Sequence, residues 1–433
     1  MAICPPFAFT SLTEPGSSVT STLPPGFDAT MAYLLGQCCS LTYAQFDAGL
    51  NWTPDFSSLA LTNYTIAASN AVAFSAYEAN EPGPTTGDVG DYFQVPAGFA
   101  VQLELTPSGG GQAKQIVVVA LRGTRTWEEW FTDADGIPTA FVAGQSSDDL
   151  GSVHAGFYGL YTMGENGNTV TQPLSPTLSN RASGAIASQV ANYVAQLDGT
   201  LPIYVTGHSL GGAVATLCAL DIAYNFAGKF SEISLYSLAS PRVAAGLSDS
   251  FGVPIPTLGN EIFFLASYQT HVPNIYQIVH ASDIIPILGP LTTSLGPLTL
   301  SFAQVTDSFQ LGSGAGGTAS VSGAAVTGVT VNNDHSAGYL AAYPPTVKFS
   351  GGGGSGATAT ASISIFRDVE ITVTNGGSGY TAAPTVEIIS FSGGLPQNVI
   401  NFCAQTGDIG CNHGCVNTYV PYLEALAANF AGP

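Results

Sequence analysis

Along the first 310 or so residues, short and almost wholly apolar runs alternate with longer stretches of helical periodicity. Residues 116–121 (I-V-V-V-A-L), 202–206 (P-I-Y-V-T), 232–238 (E-I-S-L-Y-S-L) and 275–279 (I-Y-Q-I-V) are of the first kind. Residues 182–197 and 210–226 are of the second, and both are rich in small side chains. A run that is apolar at successive positions, rather than at every second one, predicts a strand covered on both faces. Such strands, separated by helices, predict an α/β fold with a mostly parallel central sheet.

From residue 312 the pattern changes to alternating Val and Thr between Gly-rich turns. The sequence T-V-N-N at 330–333 recurs as T-V-T-N at 372–375, P-T-V at 345–347 recurs at 384–386, and S-G-A at 313–315 recurs at 355–357. Those offsets of 42, 39 and 42 residues predict two copies of a small β unit. The unit resembles the Gly-Ser-Gly-Tyr repeats of bacterial surface and secreted proteins. Residues 312–394 are therefore expected to be a β-rich repeat domain inserted into an α/β domain made of residues 1–311 and 395–433. Residues 416–430 place Val416, Tyr419, Val420, Leu423, Leu426, Ala427 and Phe430 on one helical face. Pro421 requires that helix to begin only a few residues earlier or to kink.

Composition narrows the function. Of 433 residues, 8 are Lys or Arg and 29 are Asp or Glu, a formal net charge of −21. That balance excludes a nucleic-acid partner as the first reading, because phosphates are neutralised by clustered Lys and Arg. It also speaks against docking on an anionic membrane through a basic patch. Gly, Pro or a charge interrupts every apolar run well short of about 18 residues, so no transmembrane anchor is expected. Residues 1–10 lack the basic and apolar regions of a signal peptide. The cysteines are at 4, 38, 39, 218, 403, 411 and 415. Cys218 is expected to be a buried free thiol. The other six, with the low Lys content, favour a secreted, disulfide-bearing protein.

The chemistry begins at Gly207-His208-Ser209-Leu210-Gly211-Gly212, which follows an apolar strand and opens a helix. This is G-x-S-x-G in the strand–turn–helix setting that makes a nucleophile elbow. The turn needs glycine at its flanks, it lifts the Ser209 hydroxyl above the sheet, and the helix start offers N–H groups to developing negative charge. His208 is expected to point away from the reaction as a structural residue.

Five stretches in order extend the match: L-R-G-T-R-T-W-E-E-W-F-T-D at 121–133, V-H-A-G-F-Y at 153–158, the elbow, A-S-P-R-V at 239–243 and I-V-H-A-S-D-I-I-P at 278–286. Together they resemble the class 3 lipases, the fungal-lipase-like branch of the α/β-hydrolases. The resemblance covers about residues 30–311 and, more weakly, 395–433. It implies an α/β-hydrolase fold with Thr124 and Leu210 as oxyanion-hole donors. It sets residues 127–133 where the family carries its lid helix, with Trp127, Trp130 and Phe131 as the apolar stripe. The bland alternative is a packed amphipathic helix. Asp283 stands where the family places the acid that orients the catalytic histidine. Asp408 is a rival, but only five residues separate it from His413.

Two histidines compete for the base. His335, in D-H-S-A-G-Y-L at 334–340, lies 52 residues after Asp283, yet its stretch aligns with G-G-S-G-Y at 376–380 of the second repeat. His413 lies outside the repeats and precedes the C-terminal amphipathic stretch, as the family's histidine does, and is favoured. His154 and His280 belong to structural motifs of the family. Cys403, Cys411, His413 and Cys415 could instead be a zinc set, but C-x-H-x-C departs from the usual paired-cysteine spacing, and disulfides bracing the His413 loop are preferred. The expectation is a serine carboxylester hydrolase, a triacylglycerol lipase or esterase with the triad Ser209, His413 and Asp283. It would need no metal or organic cofactor and would meet a lipid or other ester substrate, also at a lipid–water interface. A feruloyl esterase, phospholipase or polyester hydrolase is the near alternative. An adhesion protein with an inert hydrolase domain is the distant one.

Overall fold

A computed structural model of the 433-residue chain describes residues 25–79, 92–123, 138–143, 148–165, 174, 181–197, 200–248, 261–280, 283, 285–287, 292–295, 298–304, 309–311, 315–331, 344–364, 369–389, 391–393, 399–402 and 413–430. Helix α1 (Ala29–Ala48) precedes strands β1 (Tyr64–Ala79), β2 (Tyr92–Pro107), β3 (Lys114–Leu121), β4 (Pro138–Ala143) and β5 (Asp148–His154). Helices α2 (Ala155–Thr162) and α3 (Ile186–Gln196) follow, then β6 (Pro202–His208), α4 (Leu210–Asn225), β7 (Glu232–Leu238) and β8 (Ala244–Ser248). Next come α5 (Glu261–His271), β9 (Asn274–His280), β10 (Thr292–Leu295) and β11 (Leu298–Ala303). The β-rich stretch carries β12 (Phe309–Leu311), β13 (Gly317–Ser322), β14 (Ala325–Val331), β15 (Thr346–Ser350), β16 (Ser355–Ile363), β17 (Val369–Ser378), β18 (Thr385–Ile389) and β19 (Phe391–Gly393). Strand β20 (Val399–Phe402) and helix α6 (Val420–Phe430) come last.

The chain splits into two compact units, one drawn from Met1–Leu247, Pro256–Asp307 and Leu395–Pro433, the other from Ser248–Ile255 and Ser308–Gly394. In the first unit a seven-stranded sheet runs in the order β1-β2-β3-β6-β7-β9-β20. From β3 onward every neighbour is parallel, whereas β1, β2 and β3 pair antiparallel. This is the mostly parallel α/β-hydrolase sheet. The last six residues of β3 are all buried, which is why its sequence is apolar without alternation. Ile116, Val118 and Ala120 share one core with Leu34 and Leu35 of α1 and with Leu423 and Leu426 of α6. Val117 and Val119, pointing to the opposite face, are equally buried. Helix α4, packed on β3, β6 and β7, is buried almost all round, and its small residues let it approach the sheet closely.

One buried ion pair ties the helices of that layer together. Arg181 clasps Asp221 of α4 through two bonds of 2.6 and 2.7 Å, with Tyr161 of α2 (2.6 Å) and Asn225 (2.7 Å) donating to the same carboxylate. Both charged side chains are 1% exposed. A smaller sheet in the same unit has the order β10-β11-β8-β5-β4.

Two expectations need correction. The C-terminal helix begins at Val420, not near Val416, because residues 415–419 form a wider π-type turn. Pro421 therefore sits in the first turn, where its missing N–H costs nothing, and Val416 is left 51% exposed instead of joining the apolar face. The cysteines also differ from the expectation of disulfides. Cys38, Cys39 and Cys415 are buried free thiols, as is Cys218. Cys38, Cys39 and Cys415 lie in the apolar core that α1 and α6 share, where Cys39 Sγ meets Thr206 Oγ1 at 3.3 Å. Burial pushes the Cys39 thiol up to about 12, so it stays protonated and unreactive. Cys4, Cys403 and Cys411 lie outside the described residues.

In the second unit, a four-stranded antiparallel sheet has the order β14-β13-β18-β15; consecutive strands β16 and β17 form a hairpin, and β12 pairs antiparallel with the distant β19. Strand β18 pairs with both β13 and β15, so strands from the two stretches of similar sequence share one sheet. Alternation puts Ala319, Val326, Val386 and Tyr380 inside, with Val347, Phe349 and Val373 packed around them. Its threonines face solvent.

Candidate active site

Strand β6 ends at His208 and helix α4 begins at Leu210, so Ser209 alone makes the turn. Its backbone is at φ 60° and ψ −132°, a conformation that costs an L-residue about 1–3 kcal/mol. Three close approaches hold it there. The Ser209 N–H donates to Leu238 O at 2.9 Å. A Cβ on Gly207 would lie 2.1 Å from Gly211 O, and one on Gly211 would lie 2.3 Å from Leu121 O. Only glycine at both positions lets β3, the elbow and α4 meet this tightly. The Leu210 N–H is the first of α4, one that helix geometry leaves without an intrahelical acceptor. It points from the end of the helix that carries partial positive charge.

Asp283 follows the end of β9 and its side chain is fully buried. Its carboxylate is held by three donors: Ile285 N–H to Oδ1 at 2.9 Å, and both His413 Nδ1 (2.8 Å) and Tyr419 OH (2.7 Å) to Oδ2. The acid and the histidine are 130 residues apart in the chain. Tyr419 comes from the π-type turn that displaces the helix start, which aims its hydroxyl back at Asp283. The His413 Nδ1 bond to a carboxylate fixes the imidazole tautomer, leaving Nε2 as the acceptor. That Nε2 is buried without a hydrogen-bond partner.

Beside it lies His208, with the two ring centroids 4.7 Å apart and the planes tilted by 39°. His208 thus faces His413 rather than pointing away. The elbow strand enters with alternating side chains, and the position before Ser209 falls on the side where Tyr43 of α1 and His413 lie. Tyr43 OH of α1 bonds His208 Nδ1 at 2.8 Å. Burial first, and the nearby His413 charge second, hold the His208 pKa well below the usual histidine range, so the ring is neutral.

Arg122, just past β3, sends Nε to Pro96 O (2.7 Å) and one terminal nitrogen to Gly123 O (2.8 Å) while its guanidinium covers the Phe46 ring. These contacts fix Arg122 and Gly123, the two residues that precede Thr124 in the chain. Thr124 itself, the stripe Trp127, Trp130 and Phe131, and the rivals His335 and Asp408 lie outside the described residues. His154 caps α2, accepting from Gly156 N–H at 3.2 Å and stacking on Phe157 at 4.3 Å. Tyr419 and Tyr43 were not singled out as site residues by sequence. The signal for Tyr419 was its place six residues after the favoured histidine; Tyr43, in a helix far upstream, carried none.

Among the described residues, no group of three or more His, Cys, Asp or Glu could hold a metal ion. Compared with known proteins, residues 118–293 match the model of the family described as Lipase (class 3). That stretch belongs to the class 3 lipases. It contains β3, the elbow and Asp283; His413 lies beyond its end. Phospholipase A1-II 6 of Oryza sativa subsp. japonica is 34% identical over 143 residues, 30% of this chain and 33% of that protein. The lipase of Rhizomucor miehei is 29% identical over 158 residues, 35% of this chain and 37% of that one. The chain thus spans about a third of the length of the relatives it matches. Among solved structures, the native Rhizomucor miehei lipase propeptide complex is similar at 18% identity and a TM-score of 0.32, covering 63% of this chain and 70% of that one.

Proposed function

We propose that the chain is a serine carboxylester hydrolase acting on lipid esters, with Ser209 as nucleophile, His413 as general base and Asp283 as its orienting acid. The observation that carries this reading is the 2.8 Å bond from His413 Nδ1 to a buried Asp283, next to an elbow whose strained serine starts a helix. In the first half-reaction Ser209 Oγ attacks the ester carbonyl while its proton passes to His413 Nε2. The imidazolium so formed is stabilised by Asp283, and returns the proton to the leaving alcohol. Water then repeats the sequence on the acyl-enzyme and frees the carboxylic acid. The Leu210 N–H stabilises the tetrahedral oxyanion, and Thr124, by its place in the family's motif, is the second donor. His413 Nε2 makes no bond to Ser209, and such bonds commonly tighten only in the substrate complex.

The names of the relatives divide between lipases and phospholipases A1, so a triacylglycerol and the acyl ester of a phospholipid are the two substrates to compare. Secretion remains part of the proposal on the low Lys content. The deciding experiment is hydrolysis of p-nitrophenyl esters, emulsified triacylglycerol and phospholipid vesicles by the parent and by Ser209→Ala. The parent should turn over at least one, and the variant should lose several orders of magnitude. A parent inert towards all three and towards a fluorophosphonate probe would instead favour a binding protein with a silent hydrolase unit. Activity of Ser209→Ala within about tenfold of the parent would refute the assignment.

A further inference from the structure

Asp283 anchors His413 at one atom. A single hydrogen bond to Nδ1 fixes a point on the ring and leaves the imidazole free to swing its plane about that contact. Transfer of a proton from a serine hydroxyl needs the plane fixed as well, because Nε2 must aim its lone pair at Oγ.

The described groups around the ring supply one surface able to fix it. The His208 ring lies 4.7 Å away, centroid to centroid, and Tyr419 stands edge-on to His208 at 5.4 Å. His208 is itself pinned, because its Nδ1 is bonded to Tyr43 OH at 2.8 Å, and Tyr43 belongs to α1, whose core is shared with α6. An imidazole present only to fill space would be an odd choice here. It is fully buried, a cost of desolvation that a phenyl ring would avoid, and the imidazole instead bonds Tyr43 through Nδ1 and interacts with the backbone of His413. The neutral state of His208 matters too, since a charged neighbour would oppose the imidazolium that His413 must become. The loop ahead of Thr124 makes room for the pair. A Cβ on Gly123 would come within 2.5 Å of both Tyr43 OH and His208 O.

We infer that Tyr43 and His208 form a positioning pair, in which Tyr43 locks the His208 ring and that ring holds the plane of His413 for proton transfer. Neither residue touches the substrate. The inference rests on the proposed role of His413, and its test separates the two. Turnover and KM on a soluble p-nitrophenyl ester are measured for His208→Ala, His208→Phe, Tyr43→Phe and His413→Ala, with urea unfolding of each. His208→Ala, which frees the plane, should lower kcat about a hundredfold with KM little changed. His208→Phe, which restores a ring, should recover about tenfold of that loss, and Tyr43→Phe should lower kcat about tenfold. A structural role alone would move the urea midpoint and leave that division between kcat and KM unexplained. If His413→Ala is inactive while His208→Ala or Tyr43→Phe turns over at the parental rate, the positioning pair is wrong and the triad stands. An active His413→Ala refutes the proposed base itself. Should the His208 variants fail to fold, Tyr43→Phe decides: it removes one hydroxyl from a half-buried side chain, and an unchanged kcat overturns the inference.

Discussion

Replacing Tyr419 by Phe removes one oxygen atom and tests how the acid is held. The side chain is fully buried, so the ring should keep its packing beside His208 while the 2.7 Å bond to Asp283 Oδ2 is lost. Three donors hold that carboxylate in the folded chain, and the substitution leaves two. A hydrogen bond to a charged group contributes about 1.5–3 kcal/mol. Part of this is lost equally before and during reaction and so does not affect turnover. The remainder matters because the carboxylate, free to rotate about its Ile285 contact, orients the imidazolium less well in the transition state. With about 1.4 kcal/mol to a factor of ten, the expected fall in kcat is about ten- to a hundredfold. Urea unfolding should show a loss of at most about 3 kcal/mol. The assay is initial-rate hydrolysis of a soluble ester at saturating and limiting concentrations. A kcat within about twofold of the parent, with the urea midpoint unchanged, would mean that the tyrosine is a spectator and that His413 alone keeps Asp283 in place.

Two further outcomes concern stability. Asp221→Ala should cost about 3–5 kcal/mol in urea unfolding, because it strands the Arg181 guanidinium and the Tyr161 hydroxyl in the interior, and a loss below about 1 kcal/mol would show that water reaches the pair. Burial lowers the His154 pKa from 6.5 to about 4. The unfolded chain therefore takes up its proton first as pH falls, and the stability carried by the neutral ring is complete above pH 6.5 and lost towards pH 4, about 3 kcal/mol in all. His154→Asn keeps a side-chain cap for α2 and should flatten the fall of the urea midpoint between those pH values; an identical slope would place the acid sensitivity elsewhere.

Local pattern alone determined the strands of the central sheet and the helix behind the elbow, because a strand covered on both faces must be apolar throughout, and residues 116–121, 202–206, 232–238 and 275–279 had no other comfortable place. It determined the elbow as well. Glycines at 207 and 211 are demanded by backbone contacts of 2.1 and 2.3 Å, and a sequence can advertise a need for absent side chains. Tertiary structure decided what meets the elbow. Asp283 and His413 are separated by 130 residues with the β-rich stretch between them, and no periodicity encodes which carboxylate a distant imidazole will find. The same holds for the wide turn at 415–419, which moved Val416 into solvent and Tyr419 onto Asp283, and for Cys39, whose thiol packs on Thr206 instead of forming a disulfide. His208 shows the division at a single residue. Its neighbour in sequence announces a nucleophile, but its own environment is made by Tyr43 and His413, arriving from opposite ends of the chain. Propensity and spacing act over a few residues, whereas orientation, desolvation and the partner of a buried polar atom are properties of whatever the folded chain brings alongside.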